Sequence, residues 1–305
     1  MDILQALFLG AVQGITEFLP ISSSGHLRVL PQLFGWQWMG LQFDVALHAG
    51  TVLALILHFR SDWCALALAI LGRGAGSAAE QAVRRRLGWY LLAACVPAGI
   101  AGLLFEQALQ ALESPLLVAG TLAGVGALIL VADRVSRGTR RLQEAGLPDA
   151  LFVGLAQALA LIPGVSRSGI TISAGLFRHL SREEAARFSF LLSVPITLGA
   201  ALFELRHLAG GTVAAAQLPA LIAGVIAAAV VGYATIAFLL DYLRRHDLRI
   251  FVYYRWALAA LIVAVVFARG PAAPRADTAP QPTAPAQTEP WSPDAARAGR
   301  VAPAS

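Results

Sequence analysis

Six apolar stretches, each close to the length needed to cross a lipid bilayer, dominate this chain: residues 42–59, 88–107, 114–132, 188–206, 218–240 and 251–268. A helix needs about 20 apolar residues to span the hydrocarbon core. In that medium a backbone must satisfy its own N–H and C=O groups, so each stretch is expected to be a helix. Only 13% of the 305 residues are charged and 57% are hydrophobic, whereas soluble domains carry about a quarter charged residues. A soluble globular domain is thereby excluded, and the expected fold class is an all-α polytopic membrane protein. The net charge of +5 would suit a nucleic-acid partner in a soluble protein. Here the arginines fall between apolar stretches, where topology and anionic lipid head groups account for them. No nucleic-acid partner is expected.

Two further apolar segments are short and interrupted. Residues 3–19 carry Gln5, Gln13, Thr16 and Glu17, and are followed by Pro20, a serine run and a second short piece at 27–35. Residues 149–177 are polar in the middle and broken at Pro163-Gly164. Proline removes a backbone donor and clashes with the preceding turn, so each segment reads as two half-helices joined by a polar turn. Such re-entrant helix hairpins are tolerated at membrane depth only inside protein or against a cavity. The segments also match each other: Gly10, Gln13, Ser22, Ser24 and Gly25 recur as Gly154, Gln157, Ser166, Ser168 and Gly169, each 144 residues later. Each half then holds one hairpin and three spans. Three is odd, so the second half enters the membrane upside down. The expectation is six transmembrane helices plus two re-entrant hairpins in an inverted-topology repeat, with the site near the midplane. The expected boundaries are a membrane domain over 1–269, with repeats over about 1–132 and 149–269, and a disordered Pro/Ala-rich tail over 270–305.

Arginines cluster at 60–86, 134–141, 178–187 and 244–249. The positive-inside rule makes these loops cytoplasmic. Parity then places both termini and the mouth of the first hairpin on the outer side, with the second hairpin entering from the cytoplasm.

The two turns hold the residues that could carry chemistry. Gln13 and Glu17 are four apart and share a helix face. Serine is a favoured N-cap, and a helix start offers free N–H groups and a positive dipole end, which together suit an anion. Arg167, in the second turn, is costly inside a membrane and needs a partner. A phosphate held in bidentate fashion and an ion pair with Glu17 are its two compatible candidates. Glu17 could hold a divalent cation, act as a base or orient His26. His26 could be a general acid or base, a nucleophile, the base that activates Ser23, or a structural group. His48 and Thr51 interrupt the first full span one turn apart; facing the same cavity is one reading, and helix–helix hydrogen bonding is the favoured one. Together these residues describe a membrane-buried site for a phosphate or diphosphate on a lipid-linked substrate.

Gln13-x-x-x-Glu17, then Phe18-Leu19-Pro20-x-Ser22-Ser23-Ser24-Gly25-His26, and Pro163-Gly164-x-Ser166-Arg167-Ser168-Gly169-x-Thr171 resemble the undecaprenyl-diphosphate phosphatase family of the bacitracin-resistance type, over about residues 1–268. The resemblance implies a multi-pass enzyme of the bacterial inner (plasma) membrane, its site opening toward the periplasmic face. It implies removal of the terminal phosphate of undecaprenyl diphosphate, recycling of the lipid carrier for peptidoglycan synthesis, and bacitracin resistance. It implies catalytic roles for Glu17, Ser23, His26 and Arg167. Substrate binding is implied for Gln13, Ser22, Ser24, Gly25, Ser166, Ser168, Gly169 and Thr171, and a Mg²⁺ or Ca²⁺ ion on Glu17. Many family members carry glutamate where this chain has Gln13. The implied partners are a polyprenyl diphosphate, membrane lipid and a second copy of the chain in a homodimer. The alternative is an inverted-repeat transporter or flippase that moves a lipid phosphate without cleaving it.

Overall fold

The computed structural model describes residues 2–36, 41–110, 112, 114–208 and 217–269. The 270–305 segment expected to be a disordered tail lies outside the described residues. Within them the chain is helical throughout: α1 (Ile3–Phe18), α2 (Ser23–Phe34), α3 (Leu41–His58), α4 (Arg60–Ile70), α5 (Ala78–Gln110), α6 (Pro115–Val135), α7 (Leu147–Ala158), α8 (Arg167–Phe177), α9 (Arg182–Leu208), α10 (Leu218–Arg245) and α11 (Arg249–Arg269). Five of these, α5, α6, α9, α10 and α11, are long and apolar enough to cross a membrane, and α3 with α4 makes a sixth if the bent pair is one span. The protein is a multi-pass membrane protein, and its apolar outer surface, including Leu104, Leu202, Val230 and Phe267, is exposed accordingly.

Two expected boundaries differ. The stretch at 42–59 is the single helix α3, but the chain does not end its apolar course there: it bends by 76° and continues as α4. Polar residues sit at that bend: Asp62 pairs with Arg187 of α9, and the Arg60 guanidinium donates to Leu57 O. The second span starts at Ala78 rather than 88. Ser77 and Glu80 close a reciprocal cap there, Glu80 N–H to Ser77 Oγ at 3.2 Å and Ser77 N–H to Glu80 Oε2 at 2.9 Å. Arg84, Arg85 and Arg86 therefore lie on the helix rather than in a loop.

Both interrupted segments are helix–turn–helix units with the same local cause. α1 stops at Phe18, just ahead of Pro20, and α2 starts at Ser23, within the serine run that offered an N-cap. Ser22 caps it, its Oγ accepting from Gly25 N at 3.4 Å. Ser166 caps α8 in the same way, its Oγ accepting from Gly169 N at 3.2 Å. The two capping serines share an unusual backbone, φ 76° at Ser22 and φ 73° at Ser166. A side-chain-bearing residue at positive φ costs of order 1–3 kcal/mol and persists where surrounding structure imposes it.

Glycines set how these units dock. A Cβ on Gly10 would lie 2.3 Å from Gly224 O of α10, and one on Gly14 would lie 2.7 Å from Gly232 N. Small residues spaced four apart let helix backbones approach closely where lipid offers no hydrophobic drive. Gly154 on α7 makes the corresponding approach to Ala94 O of α5, at 2.4 Å for an added Cβ. Thus α1 packs on a helix late in the chain and α7 on one early in it. At one end of the bundle, ion pairs tie the arginine-rich segments together: Arg182 to Asp133, Arg140 and Arg178 to Asp149, and Arg244 to Glu183.

Candidate active site

The turns after α1 and before α8 meet at Glu17. Its Oε1 accepts from Arg167 Nη2 at 2.8 Å. Its Oε2 accepts from Ser23 Oγ at 2.7 Å and from Gln13 Nε2 at 3.1 Å. Helical geometry explains the local part: Gln13 lies one turn before Glu17 on the same face, and Ser23 is the first residue of α2. Arg167 is the first residue of α8, so it and Ser23 occupy equivalent places in the two turns. One carboxylate therefore holds a hydroxyl from one turn and a guanidinium from the other. A second bond joins the turns, Ser168 Oγ donating to Leu19 O at 3.1 Å.

Most of the site's side chains are buried and a few reach the surface. Gln13, Ser22, Gly25, His26, Ser166, Ser168, Gly169 and Thr171 are buried, Glu17 is 9% exposed, and Ser24 is exposed. Arg167 keeps 14% of its side chain exposed, and Ser23 is half-buried. Around them Ser22 Oγ lies 3.3 Å from Ser24 Oγ, and Ser166 Oγ lies 3.2 Å from Ser168 Oγ. Thr171 Oγ1 lies 2.7 Å from Ser189 Oγ of α9 and donates to Arg167 O, also at 2.7 Å. Two helix starts, a guanidinium and several hydroxyls gathered around one carboxylate form a setting in which an anion is stabilised at low dielectric.

His26 does not face Ser23. Its Nδ1–H donates to Ser22 O at 2.7 Å, and its Nε2 accepts from the Tyr254 hydroxyl of α11 at 2.6 Å. A carbonyl can only accept, so Nδ1 carries the proton and Nε2 is the basic nitrogen. The group that accepts the Ser23 hydroxyl hydrogen bond is Glu17, and His26 is engaged elsewhere. For His48 the cavity reading holds rather than the favoured helix–helix one: its Nε2 lies 3.7 Å from Glu17 Oε2 while Nδ1–H donates to Asp44 O. Thr51 turns back on its own helix, donating to His48 O.

Among the described residues no group of three or more His, Cys, Asp or Glu side chains could hold a metal ion. The donors at Glu17 nonetheless suit a hard cation that keeps water and substrate oxygens in its shell. Gln13 Oε1 is buried with no hydrogen-bond partner, and it lies beside a carboxylate. One carboxylate plus carbonyl, water and phosphate oxygens is a donor set that hard divalent cations such as Mg²⁺ or Ca²⁺ accept.

With this geometry in hand, the comparisons with known proteins decide the family. The profile of the bacitracin resistance protein BacA family matches residues 6–261. The chain belongs to the BacA family. It is 52% identical over 270 residues to an undecaprenyl-diphosphatase of Moorella thermoacetica, covering 88% of this chain and all of that protein. It is 47% identical to undecaprenyl-diphosphatases of Geobacter metallireducens and of Rubrobacter xylanophilus, each alignment covering 99% of the relative and 88% and 87% of this chain respectively.

Two residues of this BacA protein escaped the sequence reading. Tyr254 carried no signal, since tyrosines are common near membrane interfaces. Arg255 did carry one: it is an arginine inside the apolar run 251–268, and the rule that singled out Arg167 applies equally to it. It is wholly buried and donates to Leu122 O, Pro20 O, Thr121 O, Gly164 O and Val165 O at 3.0–3.2 Å.

Proposed function

We propose that this BacA-family chain is an undecaprenyl-diphosphate phosphatase, releasing inorganic phosphate from the lipid diphosphate and returning the lipid monophosphate for cell-wall synthesis. One observation carries the reading: Glu17 accepts at once from Arg167 Nη2 at 2.8 Å and from Ser23 Oγ at 2.7 Å, inside a buried site. That is a nucleophile on its base, beside a guanidinium placed for phosphate. The names of the relatives supply the substrate.

The terminal phosphate replaces Glu17 as the partner of Arg167, which with the free N–H groups of the two helix starts stabilises charge on the phosphoryl oxygens. This frees the carboxylate. Ser23 Oγ then bonds to the terminal phosphorus as its proton passes to Glu17, and the bridging P–O bond breaks to leave the lipid monophosphate. Water next attacks the serine-bound phosphorus and the Ser23 Oγ–P bond breaks; Glu17 returns its proton to Ser23 Oγ, and both water protons leave on the inorganic phosphate. Gln13, Ser22, Ser24, Gly25, Ser166, Ser168, Gly169 and Thr171 line or support the oxygens' site. His26, oriented by Tyr254 and by Ser22 O, shapes the first turn. Glu17 and Gln13 Oε1 would hold a divalent cation, which when bound supplies charge neutralisation on the diphosphate.

The architecture we propose is an inverted repeat with two re-entrant hairpins in the inner membrane, the site opening to the periplasmic side. Three features support it: the positive-φ serine caps at Ser22 and Ser166, the exchanged glycine contacts of Gly10 and Gly154, and ion-paired arginines gathered at one end. The test is phosphate release from undecaprenyl diphosphate by the purified protein in detergent. Turnover is expected to fall on chelation with EDTA and to return with Mg²⁺. Lipid translocation in vesicles without phosphate release would instead indicate a flippase.

A further inference from the structure

Arg255 of α11 has no role in the chemistry above, yet it is the largest fully buried side chain among the described residues and 0% exposed. Its surroundings are specific. Nη1 donates to Pro20 O, in the turn between α1 and α2, at 3.2 Å. Nη2 donates to Gly164 O and Val165 O, in the turn before α8, both at 3.1 Å. Nε and Nη2 reach Leu122 O and Thr121 O of α6 at 3.0 Å and 3.2 Å. All five acceptors are carbonyls and none is a carboxylate, so the guanidinium is satisfied without being neutralised.

Turn carbonyls at membrane depth have no helical partner, and leaving them unsatisfied is costly. A small donor could satisfy them singly. A planar fork that satisfies both turns from one point does more, because it fixes one turn against the other. The catalytic pairing depends on that relation: Ser23 follows Pro20 by three residues, Arg167 follows Val165 by two, and both bond the same carboxylate. Thr121 reinforces the same junction, its Oγ1 donating to Pro163 O at 2.7 Å.

We infer that Arg255 is a positioning residue that locks the two loop apices together, and so sets the distance between Ser23 and Arg167 across the reacting phosphorus. The inference rests on the phosphatase reading for its catalytic consequence, but not for its structural one.

The test uses the full-length protein purified in detergent, with Arg255→Lys and Arg255→Met, two readouts and a wild-type control. Hydrogen–deuterium exchange followed by mass spectrometry is expected to show faster exchange at 19–25 and 162–169 together in both variants. Phosphate release is expected to show kcat reduced by about 100-fold, the scale of a misplacement near 1 Å, with KM changed less than threefold. Lysine keeps the charge but loses the fork, so wild-type kcat in Arg255→Lys overturns the inference. Unchanged exchange in the two turns overturns it as well, whatever the activity. A wild-type protein that releases no phosphate sinks the phosphatase reading alone, and the exchange data still decide the clamp. Where both Arg255 variants fail to fold, Thr121→Val loosens the same junction more gently: faster exchange at 162–169 with reduced kcat supports the clamp, and wild-type values for both overturn it.

Discussion

Replacing Arg167 separates its two jobs, holding Glu17 in the resting protein and holding phosphate in the transition state. In the resting site the pair is 2.8 Å apart, with the side chains only 14% and 9% exposed. Removing one partner of a buried ion pair costs about 3–5 kcal/mol, because the other is left uncompensated. Glu17 keeps Ser23 Oγ and Gln13 Nε2, which places Arg167→Ala near the lower end, about 3 kcal/mol. In the transition state, a unit charge about 4 Å from a phosphoryl oxygen at an effective dielectric near 20 contributes about 4 kcal/mol, equivalent to roughly a thousandfold in rate. Arg167→Ala is therefore expected to lose about three orders of magnitude in kcat/KM and to unfold at a lower temperature in detergent. Arg167→Met combined with Glu17→Gln leaves no unpaired charge, and is expected to recover most of the stability while staying inactive. Phosphate release and thermal unfolding, measured on the same preparations, check both halves. Turnover by Arg167→Ala within tenfold of wild type would refute the catalytic argument. A double variant no more stable than Arg167→Ala would refute the electrostatic one.

Ser23→Ala is expected to lose more than about a thousandfold in phosphate release, while Ser24→Ala, at an exposed hydroxyl, loses less than tenfold; equal losses would remove the case for Ser23 as nucleophile. Gly10→Ala and Gly154→Ala place a Cβ 2.3 Å and 2.4 Å from backbone oxygens of α10 and α5, so each is expected to destabilise the purified protein by about 1–3 kcal/mol, read by thermal unfolding against Gly124→Ala, which meets nothing within 4 Å. At Asp149 burial raises the carboxyl, but hydrogen bonds from Arg140, the Gly146 N–H and Arg178 outweigh it and hold the group at about 2. A depressed folded value stabilises fully above the ordinary carboxylate range. That contribution, about 1–2 kcal/mol once the half-exposed arginines are discounted, is expected to disappear as pH falls from about 4 to 2. Asp149→Asn removes this part of the acid dependence.

The sequence alone determined the class of fold and the chemical inventory. Transfer of an apolar run into lipid is a sum of local contributions, so length and composition suffice to find membrane-crossing segments. Capping and proline effects reach only a few residues, so both broken segments and the helix starts at their serines were legible in Ser22, Pro20, Pro163 and Ser166. Tertiary structure decided which of those groups meet. Ser23 could have faced His26 or Glu17, and it faces Glu17 because α2 leaves the Ser22 cap with His26 turned toward Tyr254, a residue 228 positions away. His48 reached the site only through the packing of α3 against α1. Beside the bend after His58, Asp62 finds Arg187 of α9, 125 positions away. Arg255 was visible as a misplaced charge, but its five carbonyl partners come from three separate segments. Local rules describe each segment by itself, and contacts between distant segments are set by helix orientation, which in lipid is decided by close glycine packing and by polar groups that must find one another.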